Sequence, residues 1–405
     1  MISVTAERRD DLQRRLPVVA VGAFVVVGVL TTVVAVLAFA AAGPEDGFTF
    51  LDGPGWLDAW FHGDSGWYYG IADQGYFYVP GSQSSVAFFP AYPLAVYGVG
   101  LLLGGDWSTA AGLVTLVSAA GTVALFADWV RTRVSPRTAV VAVVLLLVYP
   151  YSFFLYGSGY SDAFFMLSAL GSFALLERRH YVLAALVGVI ATGGRPVGIA
   201  VLVGLVVRAL ELIAEERSAR GDRPLPWRDL VAAVPLVRWR QLVLLLSGAG
   251  LAGWMVFLGV RFGDPLAFLA VQEAPGWNQG SGPYTWFKVV FIGTLVKGIW
   301  ANIALLVPQA LACLVAVLLL PTVWRRFGWG YAAFAFVTLA IPIIGTKDFM
   351  GAGRYVLSAY PVFAAAAVVL VEGRRPRWLL PAVLVVLLVG LCGATVAFAH
   401  GVEVS

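Results

Sequence analysis

The sequence predicts an all-α, polytopic membrane protein with about eleven transmembrane helices. Composition, run length and the placement of basic residues carry that prediction. Of 405 residues, 60% are hydrophobic and only 12% are charged. Soluble proteins carry about 25% charged residues, so this chain lacks the charge to coat a water-facing surface. Mean hydropathy is +0.85, and the apolar residues fall in runs near the length that spans a bilayer core. These facts exclude a soluble globular enzyme, a disordered chain and a nucleic-acid-binding module. Cys313 and Cys392 both lie in apolar runs, and no CxxC motif occurs. His62, His180 and His400 are scattered and suggest no metal site. No metal and no cofactor are expected.

Apolar segments run at 17–42, 86–104, 107–129, 138–155, 162–176, 181–193, 196–214, 241–260, 299–320, 329–345, 355–371 and 379–399. The first follows Arg8, Arg9, Arg14 and Arg15 but is too long for a signal peptide, so an uncleaved helix is expected. If every segment crossed, Arg131, Arg133, Arg137, Arg178, Arg179 and the basic loop 215–240 would all lie outside, against the positive-inside rule. Removing one crossing before residue 130 repairs every later loop. The segment to remove is 86–104, whose prolines, glycines and aromatics suit an interfacial segment on the outer surface. All but six of the 27 basic residues then face the cytoplasm, the six being Arg195, Arg261, Lys288, Lys297, Lys347 and Arg354. The N-terminus is cytoplasmic in this arrangement. Segments 181–193 and 196–214 are expected to be two helices meeting at the outer face around Arg195. A single broken helix is the alternative, and it would split the basic loops between the two sides. The chain reads as one domain, 1–405, with the basic cytoplasmic loop 215–240.

Three outer regions are long or polar: 43–106, 261–298 and the short loop 345–354. Long ordered loops on one side point to function. In the first, Asp64 stands at a helix start and shares a helical face with Tyr68 and Ile71. Asp73, nine steps of about 100° further on, faces the other way. Asp64 is either a helix cap or a catalytic carboxylate. Asp162, in YGSGYSDAFF, has the same two readings, with Ser161 as the alternative cap. Arg195 and Arg354 oppose the usual charge bias, either snorkelling to a headgroup or binding a lipid-linked phosphate. Lys347 would assist as a point charge. Trp67, Tyr68, Tyr69, Tyr76, Phe77 and Tyr78 fit an interface belt, and aromatic faces also pack on sugar rings.

These residues carry a family resemblance. Gly63-Asp64-Ser65-Gly66-Trp67-Tyr68, Ile71-Ala72-Asp73-Gln74-Gly75-Tyr76 and Ala87-Phe88-Phe89-Pro90-Ala91-Tyr92-Pro93-Leu94 resemble the first luminal loop of the PIG-V-type GPI mannosyltransferases, which have the GT-C fold. YSDAFF at 160–165, GGRPVG at 193–198, GDPLAFLAVQ at 263–272 and RYVLSAYPVF at 354–363 are similar to later motifs in the expected order. The acidic residue of YSDAFF is shifted by one, and Phe61-His62-Gly63 replace the aromatic that usually precedes the loop aspartate.

The short, arginine-rich and alanine-valine-rich chain looks bacterial, so a plasma-membrane location is expected and the acceptor cannot be copied from GPI-anchor synthesis. The resemblance implies a GT-C-like enzyme with interfacial helices in its first outer loop and an active site outside the cytoplasm. It implies transfer of mannose, with inversion, from polyprenyl-phosphate mannose to a glycolipid or glycan hydroxyl. Asp64 would be the base, and Asp162, Tyr68 and Tyr160 would orient the site or the acceptor. Arg354, Arg195 and Lys347 would hold the donor phosphate. Trp67, Tyr76, Phe89, Tyr92 and Tyr355 would contact sugar or lipid. The partners are the bilayer, the lipid-linked donor and the acceptor; no nucleic acid is expected, and an accessory subunit is left open. The rival readings are a GT-C enzyme for another sugar, a lipid or sugar transporter or flippase, and a degenerate member that only binds a partner.

Overall fold

The computed structural model describes residues 2–42, 53–217, 224–279 and 282–404, with side chains from Gln13 onward. Residues 43–52 of the first outer loop and 218–223 of the basic loop lie outside that set. Every regular element among the described residues is helical. In chain order these are α1 (Ile2–Ala42), α2 (Asp64–Gln74), α3 (Ala91–Leu102), α4 (Trp107–Arg131), α5 (Pro136–Val148), α6 (Asp162–Glu177), α7 (Tyr181–Thr192) and α8 (Ile199–Arg217). They continue as α9 (Trp227–Ala233), α10 (Trp239–Leu242), α11 (Ala249–Phe262), α12 (Ala267–Ala270), α13 (Pro283–Trp286) and α14 (Val289–Lys297). The last are α15 (Trp300–Phe327), α16 (Trp329–Gly345), α17 (Ala352–Ser358), α18 (Pro361–Val371) and α19 (Leu379–Ala399).

Among the described residues, six stretches are long and apolar enough to cross a membrane: Gln13–Ala42, Trp107–Arg131, Pro196–Arg217, Trp239–Phe262, Trp300–Phe327 and Leu379–Ala399. Several others are shorter than the sequence pattern suggests. The apolar run 138–155 is helical only to Val148, because Pro150 cannot continue the backbone ladder and opens a separate 3-10 turn. The run 355–371 is not one helix. α17 and α18 are bent by 81°, with the break just before Pro361.

Ion pairs supply the alternation that helix length leaves open. Arg133, after α4, lies 3.3 Å from Glu177 at the end of α6. Arg179, before α7, lies 2.6 Å from Glu216 at the end of α8, which makes α7 and α8 a hairpin rather than one broken helix. Arg326, at the end of α15, pairs with Glu372 after α18. The opposite end gathers the start of α6, the α7–α8 turn, the end of α16 and the start of α17, as described below. There His400, after α19, bonds the Ala38 carbonyl of α1 at 3.0 Å.

α3 does not cross. It starts with the Ala91 N–H on the Gly193 carbonyl, at the end of α7. α4 then runs beside α6 in the same direction, with Thr115 near the Tyr160 carbonyl and Thr122 donating to Ala163. The chain therefore enters α4 from the end where α6 begins.

The charged end is held by Arg208, which is 2% exposed. Its guanidinium reaches Glu177 at 2.8 Å, Glu215 at 2.8 Å and Glu211 at 3.0 Å. Glu211 also accepts the Trp329 and Gly330 N–H groups that open α16. A Cβ at Gly330 would stand 2.3 Å from the Arg208 Cβ, so glycine is required for this approach. Breaking one side of a buried ion network leaves an uncompensated charge, which costs about 3–5 kcal/mol. Arg208→Met is expected to lower stability on that scale in detergent unfolding measurements. Arg179→Met, at an exposed pair, is expected to cost under about 1 kcal/mol.

Candidate active site

At the opposite end a cavity of about 740 Å³ opens between the 62–89 region, the 263–286 region, the 341–355 segment and the C-terminal residues after α19. Asp64 is the first residue of α2 and follows Gly63, whose φ of 59° lies in the left-handed region. The Asp64 side chain caps nothing. Instead the Asp64 N–H donates to the Tyr160 hydroxyl at 2.9 Å, and that hydroxyl donates to the His62 carbonyl at 3.2 Å. Tyr160 thus fastens the turn through its backbone and leaves the carboxylate free to face the cavity. Asp64 Oδ2 meets Arg354 Nη1 at 2.7 Å. Arg354 lies over the rings of Tyr160 and Tyr355, at 5.4 and 5.8 Å.

Arg195 sits in the extended break between α7 and α8, with its guanidinium 4.6 Å from the Tyr355 ring. Asp162 pairs with it and is fully buried. Asp162 does not cap α6 either: Ser161 stands at the cap position, and its hydroxyl pairs with Tyr68 at 2.7 Å. The second Asp162 oxygen has no hydrogen-bond partner. Burial, then the Asp64 charge, pushes the Tyr68 phenol above its usual range, so it stays a neutral hydrogen-bonding group.

The cavity brings together Asp64, Trp67, Tyr68, Phe89, Tyr160, Arg195, Lys347, Arg354 and Tyr355. It excludes three residues for which sequence reasoning anticipated a site role. Asp162 lies behind Arg195 and does not line it. Tyr92, expected to contact sugar or lipid, is fully buried and bonds the Ala111 carbonyl at 3.2 Å and Thr115 at 3.0 Å. Tyr76, given the same role, bonds the Phe88 carbonyl at 3.0 Å and packs on Trp254 at 4.7 Å. Both tyrosines pin the loop to its supporting helices. Asp73 points elsewhere, accepting from the Trp107 indole at 3.1 Å, as its helical spacing implied.

Other cavity residues escaped the sequence reading. Gln83, Gln272, Glu273, Trp277, Trp286, Asp348 and Glu403 line the cavity. Lys347 donates to the Trp277 carbonyl at 3.1 Å and ties two loops together. Lys288 does so from below, donating to the Thr346 carbonyl and lying 4.6 Å from the Phe349 ring. Gln272 closes the GDPLAFLAVQ motif, so a signal existed there; nothing in the pattern marked Lys288 or Glu403. Among the described residues no group of three His, Cys, Asp or Glu side chains is placed to hold a metal.

No protein-family model and no curated protein matches this chain. Solved structures do. The apo oligosaccharyltransferase of Archaeoglobus fulgidus is similar over 94% of this chain and 56% of its own length, at 13% identity and a TM-score of 0.46. A structure of the archaeal oligosaccharyltransferase AglB from the same organism, with an inhibitory peptide and a dolichol-phosphate, gives 12% identity, the same coverages and 0.46. ArnT from Cupriavidus metallidurans bound to undecaprenyl phosphate is similar over 92% of this chain and 74% of its own, at 18% identity and 0.42. The chain thus spans just over half the length of the oligosaccharyltransferase.

Two outcomes test the site's construction. A Cβ at Gly63 would lie 2.6 Å from the Tyr160 hydroxyl, at a backbone angle that costs a non-glycine residue about 1–2 kcal/mol. Gly63→Ala is expected to destabilise by about 2 kcal/mol or more. In a Tyr160→Phe background the added cost should be smaller, as read from paired thermal melts. Burial pushes the Lys288 ammonium down to about 8 from 10.5. Between those values the unfolded chain binds more protons than the folded one, so Lys288 adds stability as pH rises from about 8 to 10.5. Comparing Tm against pH, Lys288→Met should lack that rising contribution.

Proposed function

We propose that this chain is an inverting glycosyltransferase of GT-C type, moving a sugar from a polyprenyl phosphate to an acceptor hydroxyl. The first-loop resemblance favours mannose as that sugar and a glycolipid or glycan as the acceptor. One observation carries the reading: a carboxylate and two arginines, remote in sequence, meet in one cavity at one end of a membrane bundle. Asp64 takes the hydroxyl proton as the acceptor oxygen bonds to the anomeric carbon. The bond from that carbon to the phosphate oxygen breaks with its electron pair, and the polyprenyl phosphate leaves as the anion. Inversion needs one base and no nucleophilic carboxylate; of the carboxylates that line the cavity, Asp64 is the one paired with an arginine of the site, Arg354. Arg354 and Arg195 stabilise the charge that develops on the phosphate, acting as preorganised donors with aromatic rings beneath them. Tyr160 and Tyr68 position Asp64 and the α6 turn, and Asp162 acts on the reaction through Arg195. Lys347 adds a point charge at the cavity wall. The excess of basic residues at the Arg208 end supports placing that end in the cytoplasm and the cavity outside, in the plasma membrane.

Purified protein in nanodiscs, given polyprenyl-phosphate mannose labelled in the sugar and a membrane glycolipid extract, tests the reading. Wild type should move label to an acceptor. Asp64→Asn should reduce transfer by about 10²–10⁴, and Arg354→Lys by about 10²–10³. Transfer by Asp64→Asn at the wild-type rate would remove Asp64 from the role of base. Neither transfer nor donor hydrolysis by wild type would count against this donor.

A further inference from the structure

A second cavity, of about 520 Å³, lies at the opposite end of the molecule from the proposed active site. It sits where α15 ends, beside the end of α18 and the start of the α18–α19 connection. Arg325, Arg326, Arg374 and Arg375 line it, with Glu372 as the one acidic member of the lining. Elsewhere at this end Arg131, Arg133, Arg178, Arg179 and Arg208 each have a carboxylate within reach, and Arg238 and Arg240, which lack one among the described residues, lie outside this cavity. Arg326 is paired with Glu372. Arg325, Arg374 and Arg375 have no carboxylate partner among the described residues, so this one groove gathers three unpaired guanidinium groups.

The helix geometry adds an independent observation. Leu311, Leu318 and Arg325 are spaced by seven residues and share one face of α15. Leu311 and Leu318 are 54% and 68% exposed, and Leu314 and Val315 flank them equally exposed. An apolar, outward-facing stripe therefore runs down α15 and ends at the arginine groove. Trp378 is 66% exposed and three residues after Arg375, and exposed tryptophans are enriched at membrane interfaces.

We propose that this groove binds an anionic phospholipid from the leaflet opposite the active site. The phosphodiester would lie among Arg325, Arg374 and Arg375, whose forks match its oxygens, and an acyl chain would lie along the α15 stripe. The charge excess selects an anionic headgroup over a zwitterionic one. The stripe selects a membrane lipid over a soluble phosphate.

Native mass spectrometry of the full chain, released from micelles containing phosphatidylglycerol or phosphatidylcholine, tests this. Wild type should retain phosphatidylglycerol preferentially, and millimolar inorganic phosphate should not displace it. Arg325→Gln with Arg374→Gln removes charge-assisted bonds and should weaken retention about tenfold or more. Arg238→Gln with Arg240→Gln removes the same charge elsewhere at this end and should change retention less than about twofold. Gel filtration and Tm would establish that both variants fold. Equal retention of the two lipids would overturn the proposal, as would equal loss in both variants, which would indicate diffuse attraction. Displacement by inorganic phosphate would make the groove a soluble-anion site and overturn the lipid reading. None of these outcomes depends on sugar transfer.

Discussion

Asp64 and Arg354 are separated by 290 residues and by 2.7 Å. That contact constrains the whole path of the chain, because both must reach the same end of the bundle. From α2, the chain must cross an even number of times before α17. If the 86–104 segment traversed the bundle, every later helix would be inverted and Arg354 would arrive at the far end. A short α3 that stays at one end of the bundle is therefore a condition for the site as much as a feature of the loop. The same parity brings Arg195 to the cavity, since the α7–α8 hairpin turns there.

The two ends of the bundle treat buried charge differently. At the Arg208 end, all three guanidinium nitrogens have carboxylate partners, and Glu211 also satisfies two helix-start N–H groups. That network joins α6, α8 and α16 without leaving polar atoms bare. At the cavity end, one Asp162 oxygen and the Arg354 Nε are buried with no hydrogen-bond partner. An unsatisfied buried polar group costs about 1–3 kcal/mol. Proteins tend to retain such costs where function requires the group, and here both atoms belong to the pairs that meet at the cavity.

Much of the architecture was legible because charge bias and run length are nearly independent signals. Basic loops fixed the alternation even where helices such as α7 proved too short to be recognised by length. Arg195 and Arg354 stood out because they opposed that bias. The aromatic residues were less legible. Tyr92 and Phe89 sit in the same motif, yet Phe89 lines the cavity and Tyr92 bonds α4 behind it. A tyrosine on a helical face carries no mark of which surface it will meet. In the sequence Lys288 carries no mark beyond its charge in the 261–298 loop. Its burial depends on a contact with Thr346, across a sequence separation that no local pattern reports.

Asp64 and Asp162 show why a pairing pattern alone does not assign a base. Both open a helix, both face an arginine, and neither acts as a side-chain cap. They differ in access. The Asp64 side chain is 21% exposed and lines the cavity, whereas the Asp162 side chain is wholly enclosed. A base must touch the proton it removes, directly or through one water. Asp162 has no such route, and its effect on the cavity passes through the orientation and charge of Arg195. Arg195 in turn has Tyr355 between it and Arg354 as a shared aromatic neighbour. The buried carboxylate thus sets one cation of the pair, the accessible carboxylate meets the other, and the space they bound is where proton transfer and phosphate departure would occur together.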